Sequence, residues 1–378
     1  MNYEIQEKPE WGENATFVPN KFSPVYNWFY YKEGYSRNLV LDVLDMFKFG
    51  EKAKKGSGGF VLDPFCGVGT TNLACRERGI NSVGFDVSPL ALFAATVKCR
   101  SYDVAKLREA FASLRQSRFE MPDRLVVPGD IRRFFNPHTL DDVLFFRSQM
   151  NRIQDHEIRD FFRLALITTA TRCSYMFKDG GALKIKKHPV PPFRKVYFAH
   201  IKRMMHDLKK LKTKKCKTII TEGDARHLRL QDKSIDCVIT SPPYLNKIEY
   251  TKIYRVEEAL FFGSRDAEHG IRSFIGTKAE PEMLFPDLPL VANAYFSDMS
   301  RVLKELHRVC KPGAKLALVV GNGCFPDRVV DSDVLLAQLA EQAGFDVKNI
   351  LVLNKRWCMR NRVEKVGVLR ESMVVLEK

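Results

Sequence analysis

Two short segments place polar side chains directly after an apolar strand, where they could bind a ligand. The first runs from Asp63 to Thr71 and reads Asp-Pro-Phe-Cys-Gly-Val-Gly-Thr-Thr. Its glycines let the backbone turn sharply and approach a ligand, and the helix that follows begins with unpaired N–H groups. Asp63 stands at the carboxyl end of the strand, the edge at which open α/β sheets bind ligands. The segment therefore predicts a binding loop in which Asp63 accepts a hydrogen bond from an ammonium group of the ligand.

Asp86 ends the next predicted strand. An acidic side chain about 20 residues after a glycine loop accepts hydrogen bonds from ribose hydroxyls in nucleotide sites. The dinucleotide pattern Gly-x-Gly-x-x-Gly is not met, because Asn72 stands where its third glycine would be. This departure argues against a hydride-transfer enzyme. A structural turn with a helix cap is the alternative interpretation of the glycine loop taken alone.

The second segment, Ser241-Pro242-Pro243-Tyr244, follows the apolar stretch 235–240. Its two prolines fix two φ angles and remove two N–H donors, so the loop is stiff and presents carbonyl oxygens. Such a loop suits a substrate with an NH₂ group, because the Ser241 hydroxyl and the Pro242 carbonyl can both accept hydrogen bonds from it. A plain rigid turn is the alternative interpretation.

The elements that must position these loops follow an α/β pattern. Apolar stretches predict strands at 59–62, 82–85, 218–221, 235–240, 315–320, 347–353 and 371–376. Helical periodicity, with Ser36 as an N-cap, predicts helices at 36–49, 70–78, 89–99, 296–310 and 334–343. Residues 101–215 are mostly helical in period. The sequence therefore predicts an α/β fold with a doubly wound sheet and a large, mainly helical insertion, divided into residues 1–100, 101–215 and 216–378.

The excess of positive charge is concentrated in the predicted insertion. The chain has a formal net charge of +16, and residues 101–220 contain 26 Lys and Arg against 12 Asp and Glu. A local basic surface is typical of proteins that bind a polyanion, and a solvated lysine-rich face is the alternative interpretation. The segments 184–195 and 209–215 contain the candidates for phosphate contacts.

The composition indicates neither a membrane protein nor a metal site. No stretch approaches the roughly 18 consecutive apolar residues that span a bilayer, and residues 1–10 lack a signal-peptide pattern. The 9 cysteines and 8 histidines are scattered, without a C-x-x-C pair. We therefore expect a cytoplasmic enzyme with reduced thiols and no bound metal.

Four segments resemble motifs of the S-adenosylmethionine-dependent DNA amino-methyltransferases, which methylate cytosine N4 or adenine N6. Residues 63–71 are similar to their motif I, and residues 240–244 (Thr-Ser-Pro-Pro-Tyr) are similar to motif IV of the cytosine-N4 group. Residues 222–225 resemble motif III, and the aromatic segment 28–36 resembles motif X. The resemblance covers most of the chain and implies a Rossmann-like class I methyltransferase sheet.

The resemblance also implies a set of site residues. It assigns catalysis to the loop Ser241, Pro242, Pro243 and Tyr244. It assigns binding of the cofactor S-adenosylmethionine to Trp28, Tyr30, Tyr35, Asp63, Pro64, Phe65, Cys66, Gly67, Gly69, Thr70, Thr71, Asp86, Val87, Asp224 and Ala225. Within that set, Asp224 would accept a hydrogen bond from the adenine amine of the cofactor. Asp130, in a near copy of motif III, is interpreted as a loop or helix-cap residue.

The implied reaction is methyl transfer to an exocyclic amine of a base in double-stranded DNA. Hydrogen bonds from the amine to Ser241 and Pro242 would draw the nitrogen lone pair out of conjugation, and Tyr244 would stack on a base flipped out of the duplex. Thr-Ser-Pro-Pro-Tyr favours cytosine N4, with adenine N6 as the alternative. The absence of a Pro-Cys pair disfavours methylation of ring carbon C5. A cognate restriction endonuclease is a possible partner.

The sequence leaves several further questions open. An RNA methyltransferase, such as a tRNA enzyme, and a nucleic-acid-binding module with a vestigial cofactor site are the rival functions. The bases could be read by residues 101–215 or by residues 262–295. Candidates for further contacts with the base, the phosphates or the pocket are Asn246, Tyr250, Arg255 and Asn322.

Overall fold

The computed structural model describes residues 3–50, 59–179, 182–245, 250–263, 282–360 and 364–378. The strands within these ranges are β1 (Ile5–Glu7), β2 (Phe60–Asp63), β3 (Asn81–Asp86), β4 (Met176–Asp179), β5 (Ala182–Ile185), β6 (Thr218–Glu222), β7 (Ile235–Thr240), β8 (Cys310–Gly321), β9 (Gly323–Cys324), β10 (Val329–Val330), β11 (Asp346–Arg360) and β12 (Glu364–Glu377).

The α-helices over the same residues are α1 (Arg37–Met46), α2 (Thr70–Arg78), α3 (Pro89–Cys99), α4 (Val104–Gln116), α5 (Gly129–Arg132), α6 (Pro137–Met150), α7 (His156–Arg172), α8 (Phe193–Lys210), α9 (Tyr250–Phe261), α10 (Leu290–Val309) and α11 (Ser332–Gln342). Short 3₁₀ turns lie at Pro9–Trp11, Val18–Phe22, Tyr26–Trp28 and Arg124–Val126. Among the described helices, none is long and apolar enough to cross a membrane.

The order of the main sheet places β2 and β7 side by side. Over the described residues the order is β1-β11-β12-β8-β7-β2-β3-β6. Neighbours from β8 to β6 run parallel, whereas β12 is antiparallel to both β8 and β11. The chain moves outward from β2 to β3 and β6, and then returns to β7 on the other side of β2. The crevice between the carboxyl ends of β2 and β7 is therefore the topological switch point, where sheets of this kind bind ligands.

Local sequence explains why these central elements form. In β7, Cys237, Val238 and Ile239 are all fully buried, as expected for a parallel strand that is covered by helices on both faces. The Ser36 hydroxyl accepts a hydrogen bond from the backbone N–H of Leu39 and so caps α1, as predicted. The doubly wound fold is confirmed.

Several observed elements differ from those predicted, and two of the differences have a local reason in the sequence. The strands β11 and β12 pair along a much greater length than the predicted stretches 347–353 and 371–376. Their outer halves carry exposed polar residues such as Lys355 and Arg356, so the apolar pattern does not reach the true ends. The insertion is mainly helical, but it also contains the antiparallel pair β4 and β5. Each of these strands has four residues, too few to show a clear period in the sequence.

The helical insertion shares a hydrophobic core with the N-terminal aromatic segment. The Trp28 ring packs edge-to-face on Phe161 of α7, with ring centroids 5.3 Å apart. The Trp28 indole N–H donates to Asp207 of α8 at 3.1 Å, and the Trp28 carbonyl accepts from the Thr168 hydroxyl at 2.8 Å. The insertion therefore holds the N-terminal segment in place.

The expectation of reduced thiols is wrong for one pair of cysteines. Cys324 of β9 and Cys358 of β11 form a disulfide, with their Cα atoms 5.8 Å apart. They are 34 residues apart in sequence and the fold brings them together, so spacing along the chain did not reveal the pair. The other seven cysteines are free.

Candidate active site

The end of β2 presents a buried carboxylate to a cavity. Asp63 is 2% exposed. Its Oδ1 accepts hydrogen bonds from the Thr240 hydroxyl (2.6 Å) and the Phe65 backbone N–H (3.2 Å), and its Oδ2 accepts one from the Tyr35 hydroxyl at 2.9 Å. Burial raises the pKa of Asp63 to about 6, although these hydrogen bonds favour the anion. The bond from Thr240 joins the end of β7 to the end of β2.

Two glycines shape the loop that follows β2. Gly67 and Gly69 have φ angles of +50° and +77°, in the left-handed region. A Cβ on Gly69 would lie 2.8 Å from the Cβ of Ala95 in α3, so a larger residue would displace that helix. The helix α2 begins immediately afterwards at Thr70, which lines the cavity. The unpaired N–H groups at the start of α2 therefore lie beside the cavity.

The end of β3 contributes a second acidic side chain. The Asp86 carboxylate accepts hydrogen bonds from the backbone N–H groups of Gly67 (2.8 Å) and Ser88 (2.9 Å). Burial raises the pKa of Asp86, and the backbone donors act against that rise. Asp86 lines the cavity together with Val87 and Ser88. Its carboxylate is thus held as an acceptor at the place where ribose hydroxyls were predicted to bind.

The proline-rich loop after β7 borders the same cavity. Ser241 and Pro243 line it with Asp63, and Pro242 is buried behind them. The Tyr244 hydroxyl donates to Glu371 of β12 at 2.9 Å. The structure therefore brings the two predicted loops together, while the Tyr244 ring lies outside the described lining of the cavity.

The segment after β6 lines the cavity with Gly223, Asp224, Ala225 and Arg226. The Arg226 guanidinium is bonded to Asp224 Oδ2 at 2.6 Å and to Asp298 of α10 at 2.9 Å. Burial alone would raise the pKa of Asp224, but the hydrogen bonds from Arg226 outweigh it and lower the pKa. Sequence reasoning missed Arg226, because a lone arginine after a strand carries no distinctive signal.

The N-terminal segment closes the remaining side of the cavity with Tyr31, Glu33, Gly34 and Tyr35. The Tyr35 hydroxyl donates to Asp63 at 2.9 Å and lies 3.2 Å from the carbonyl oxygen of Ile239, so this side contacts both central strands. Thr71 lies beneath the lining and pairs with the same hydroxyl. Tyr35 is thus placed where a cofactor-binding residue was predicted.

Trp28 and Tyr30, by contrast, do not line the cavity. Trp28 is fully buried against the insertion. The Tyr30 ring is 45% exposed and packs on Phe17 and Lys21. Of the aromatic residues in this segment, Tyr31 and Tyr35 line the cavity, whereas Trp28 and Tyr30 do not, because spacing along an irregular segment does not show which rings turn inward.

Glu33 is a cavity residue that the sequence analysis did not select. Its Oε2 accepts a hydrogen bond from the Tyr254 hydroxyl of α9 at 2.9 Å. The Tyr254 ring stacks on Tyr31, with centroids 5.2 Å apart. Burial raises the pKa of Glu33. The position of Glu33 between aromatic residues of the predicted motif was the sequence signal that could have identified it.

The remaining candidates fall outside this lining. Asn322 is 2% exposed and donates to Asp331, so the predicted contact of Asn322 with the pocket is not found. Arg255 is exposed on α9, and its Nη1 lies 3.7 Å from Oδ2 of Asp130. Asn246 and the Tyr250 side chain are outside the described residues, as is most of the alternative recognition segment 262–295.

The cavity is rich in carboxylates. Glu33, Asp63, Asp86 and Asp224 line it, and Arg226 is the cation among the described lining residues. Within the described part of the chain, no group of histidine, cysteine or acidic residues could hold a metal ion. The arrangement suits a cationic ligand with hydroxyl groups at one end, next to a loop that accepts hydrogen bonds from an amine.

The comparisons with known proteins agree with this geometry. Residues 24–95 match the N6/N4 methyltransferase family described as DNA methylase. The chain is 25% identical to Type II methyltransferase M.BsoBI of Geobacillus stearothermophilus, over 96% of this chain and 87% of that protein. It is also 25% identical to Type II methyltransferase M.AvaI of Anabaena variabilis, over 90% and 83%. A shorter segment, 14% of this chain, is 48% identical to 10% of Type II methyltransferase M.MjaII of Methanocaldococcus jannaschii.

Proposed function

We propose that this chain is an amino-methylating DNA methyltransferase and that it transfers a methyl group from S-adenosylmethionine to the N4 amine of cytosine in duplex DNA. One observation carries the proposal. Asp63, the last residue of β2, and Ser241, the residue after β7, line one cavity, and the Thr240 hydroxyl next to Ser241 donates to Asp63. A donor held beside Asp63 is therefore within reach of an amine held at Ser241.

The residues of the cavity fit S-adenosylmethionine, which supplies an electrophilic methyl group on a sulfonium when bound. Asp86, which is held by the backbone N–H groups of Gly67 and Ser88, would accept hydrogen bonds from the ribose hydroxyls. Asp224 and Ala225 would hold the adenine ring at the far end, and the Asp224 oxygens are already oriented by Arg226. Asp63 and Glu33 offer negative charge at the end where the amino-acid part would lie.

The catalytic loop would act by positioning and polarising the amine. The Ser241 hydroxyl and the Pro242 carbonyl accept hydrogen bonds from the NH₂ group, which turns the nitrogen lone pair toward the donor. The proline rings keep the loop in this conformation without backbone donors at those positions. The bond from Tyr244 to Glu371 would hold the tyrosine ring ready to stack on a base flipped out of the duplex.

The choice of cytosine N4 over adenine N6 rests on the Ser-Pro-Pro-Tyr loop. The serine contributes a neutral hydroxyl where adenine enzymes more often have a carboxylate. Because the chain resembles proteins named Type II methyltransferases, we also infer that it acts with a restriction endonuclease of the same recognition sequence.

The experiment that tests the proposal is nucleoside analysis. The protein is incubated with a methyl-labelled donor and either duplex DNA or tRNA, and the digested nucleosides are separated by chromatography. We expect label in N4-methylcytosine from DNA. Label in N6-methyladenine would move the assignment to the other amine, and label in RNA alone would contradict the DNA substrate.

A further inference from the structure

The strands β4 and β5 form a hairpin with two unlike faces. Phe177 pairs with Lys184, and Lys178 pairs with Leu183. Because successive residues of a strand point to opposite faces, Phe177 and Lys184 share one face and Lys178 and Leu183 share the other. Lys178 is the more buried of the two lysines, with 25% of its side chain exposed against 57% for Lys184.

The inner face of the hairpin is attached to the cavity wall. Lys178 Nζ lies 2.9 Å from Oε1 of Glu257 and 3.6 Å from the centroid of the Tyr254 ring, both on α9. Glu257 is 1% exposed, so this ion pair is largely removed from water. Tyr254 in turn donates to Glu33, which lines the cavity. The hairpin is thus connected to the cavity through the side chains of Tyr254 and Glu33.

The outer face combines an exposed aromatic ring with lysines. We define the outer hairpin face as Phe177, Lys184 and Lys186. Phe177 is 44% exposed, and Lys186 Nζ lies 5.2 Å from the centroid of its ring. Lys184 pairs with the exposed Asp179, and no Asp or Glu stands between Asp179 and Asp207 in the sequence. Lysines beside an exposed aromatic ring are the surface that nucleic acids bind, through phosphates and base or sugar faces.

A second basic cluster lies at the opposite edge of the sheet. Residues 212–217 directly precede β6 and so stand at the amino ends of the parallel strands. The Lys214 backbone N–H donates to the carbonyl of Arg76, and a Cβ on Gly79 would lie 3.1 Å from the Lys214 Cβ. Asp63 and Ser241 lie at the carboxyl ends. The outer hairpin face and the cluster 212–217 therefore lie in different places, although both are positively charged.

Resting on the proposed function, we propose that the outer hairpin face binds duplex DNA beside the target base. Lys184 and Lys186 contact phosphates, and Phe177 packs on an exposed base or sugar. The attachment through Lys178 then fixes the distance between the bound duplex and the cavity. The cluster 212–217 takes no part in binding.

The test compares matched charge removals at the two clusters. We would measure the binding of a fluorescein-labelled duplex of mixed sequence by anisotropy at several salt concentrations. Lys184→Gln with Lys186→Gln should weaken binding about tenfold and reduce the slope of log K against log salt by about two. Lys212→Gln with Lys215→Gln removes the same charge at exposed positions and should change neither value.

A third variant isolates the aromatic ring. Phe177→Ala should weaken duplex binding about tenfold without changing the salt slope, because stacking involves no counterion release. Donor binding, measured by calorimetry, should be unchanged in every variant, and its absence in the wild-type protein would instead contradict the proposed function. Equal losses of duplex affinity in the two double-lysine variants would show that only net charge matters and would overturn the hairpin proposal. So would a wild-type protein that binds RNA and not duplex DNA.

Discussion

The two edges of the parallel strands contain similar residues but arrange them differently. At the amino edge, the Asp236 carboxylate accepts a hydrogen bond from the Phe60 N–H and forms an ion pair with Lys311, which neutralises its charge locally. At the carboxyl edge, Asp63 and Asp86 accept hydrogen bonds and face a cavity, and neither forms an ion pair with a cation among the described residues. The difference shows that strand direction, and not residue type, separates the candidate site from structural polar contacts.

The largest effect is expected at the end of β7. Ser241→Ala removes an acceptor for the target amine and should lower the methyl-transfer rate at least about 100-fold, while donor affinity stays within about twofold. Ser234→Ala makes the same change at the amino end of β7, where the hydroxyl donates to the carbonyl of Gln231. Steady-state rates with labelled donor should show no loss in that control. Equal rates in both variants would remove Ser241 from the mechanism.

The next comparison concerns two aspartates. Asp63→Asn removes the negative charge beside the donor and should weaken donor binding about 30-fold, as measured by calorimetry. Asp236→Asn should leave the affinity unchanged and lower the free energy of unfolding by at most about 1 kcal/mol, since the Lys311 side chain is 42% exposed to solvent. Comparable loss of affinity in both variants would mean that the two edges do not differ in function.

The pH dependence of donor binding follows from the pKa of Asp63, which is about 6. Above that value the carboxylate is ionised and attracts the ammonium group; below it, protonation removes the attraction. Affinity should therefore be highest near pH 7 and fall about tenfold near pH 5. Glu33 and Asp86, whose pKa values burial also raises, face the same ligand and would steepen the fall.

The control for this titration is Asp63→Asn, whose donor affinity should depend less on pH than that of the wild-type protein. A wild-type affinity that rises toward pH 5 would contradict the assignment of the ammonium group to this cluster of carboxylates.

The smallest of these effects is expected at Glu33. Glu33→Gln keeps a hydrogen-bond acceptor for Tyr254 but removes the negative charge. It should therefore weaken the binding of the donor and of its demethylated product about fivefold each. Methylthioadenosine, which lacks the amino-acid part, should bind unchanged. Glu13→Gln makes the same substitution at an exposed position of the N-terminal segment and is the matched control. If the variant also bound methylthioadenosine more weakly, the substitution would have changed the shape of the cavity.

Local sequence patterns predict the strand ends of the candidate site but not its full lining. The stretch 70–78 was predicted with the bounds of α2, because capping glycines and helical period are local signals. Glu33 and Arg226 were missed, and Trp28 was selected although it packs on the insertion. These three depend on contacts between segments far apart in the chain, which no local pattern contains.

The sequence by itself determined the α/β alternation, the glycine loop after β2 and the rigid loop after β7, because each follows from torsion preferences and apolar patterns within a few residues. Only the tertiary structure decided that Asp63 and Ser241 line the same cavity, with the Thr240 hydroxyl bonded to Asp63. It also decided which basic cluster lies beside the cavity, and that Cys324 and Cys358 are joined. The physical reason is that strand order and direction set these distances, and they are properties of the whole sheet.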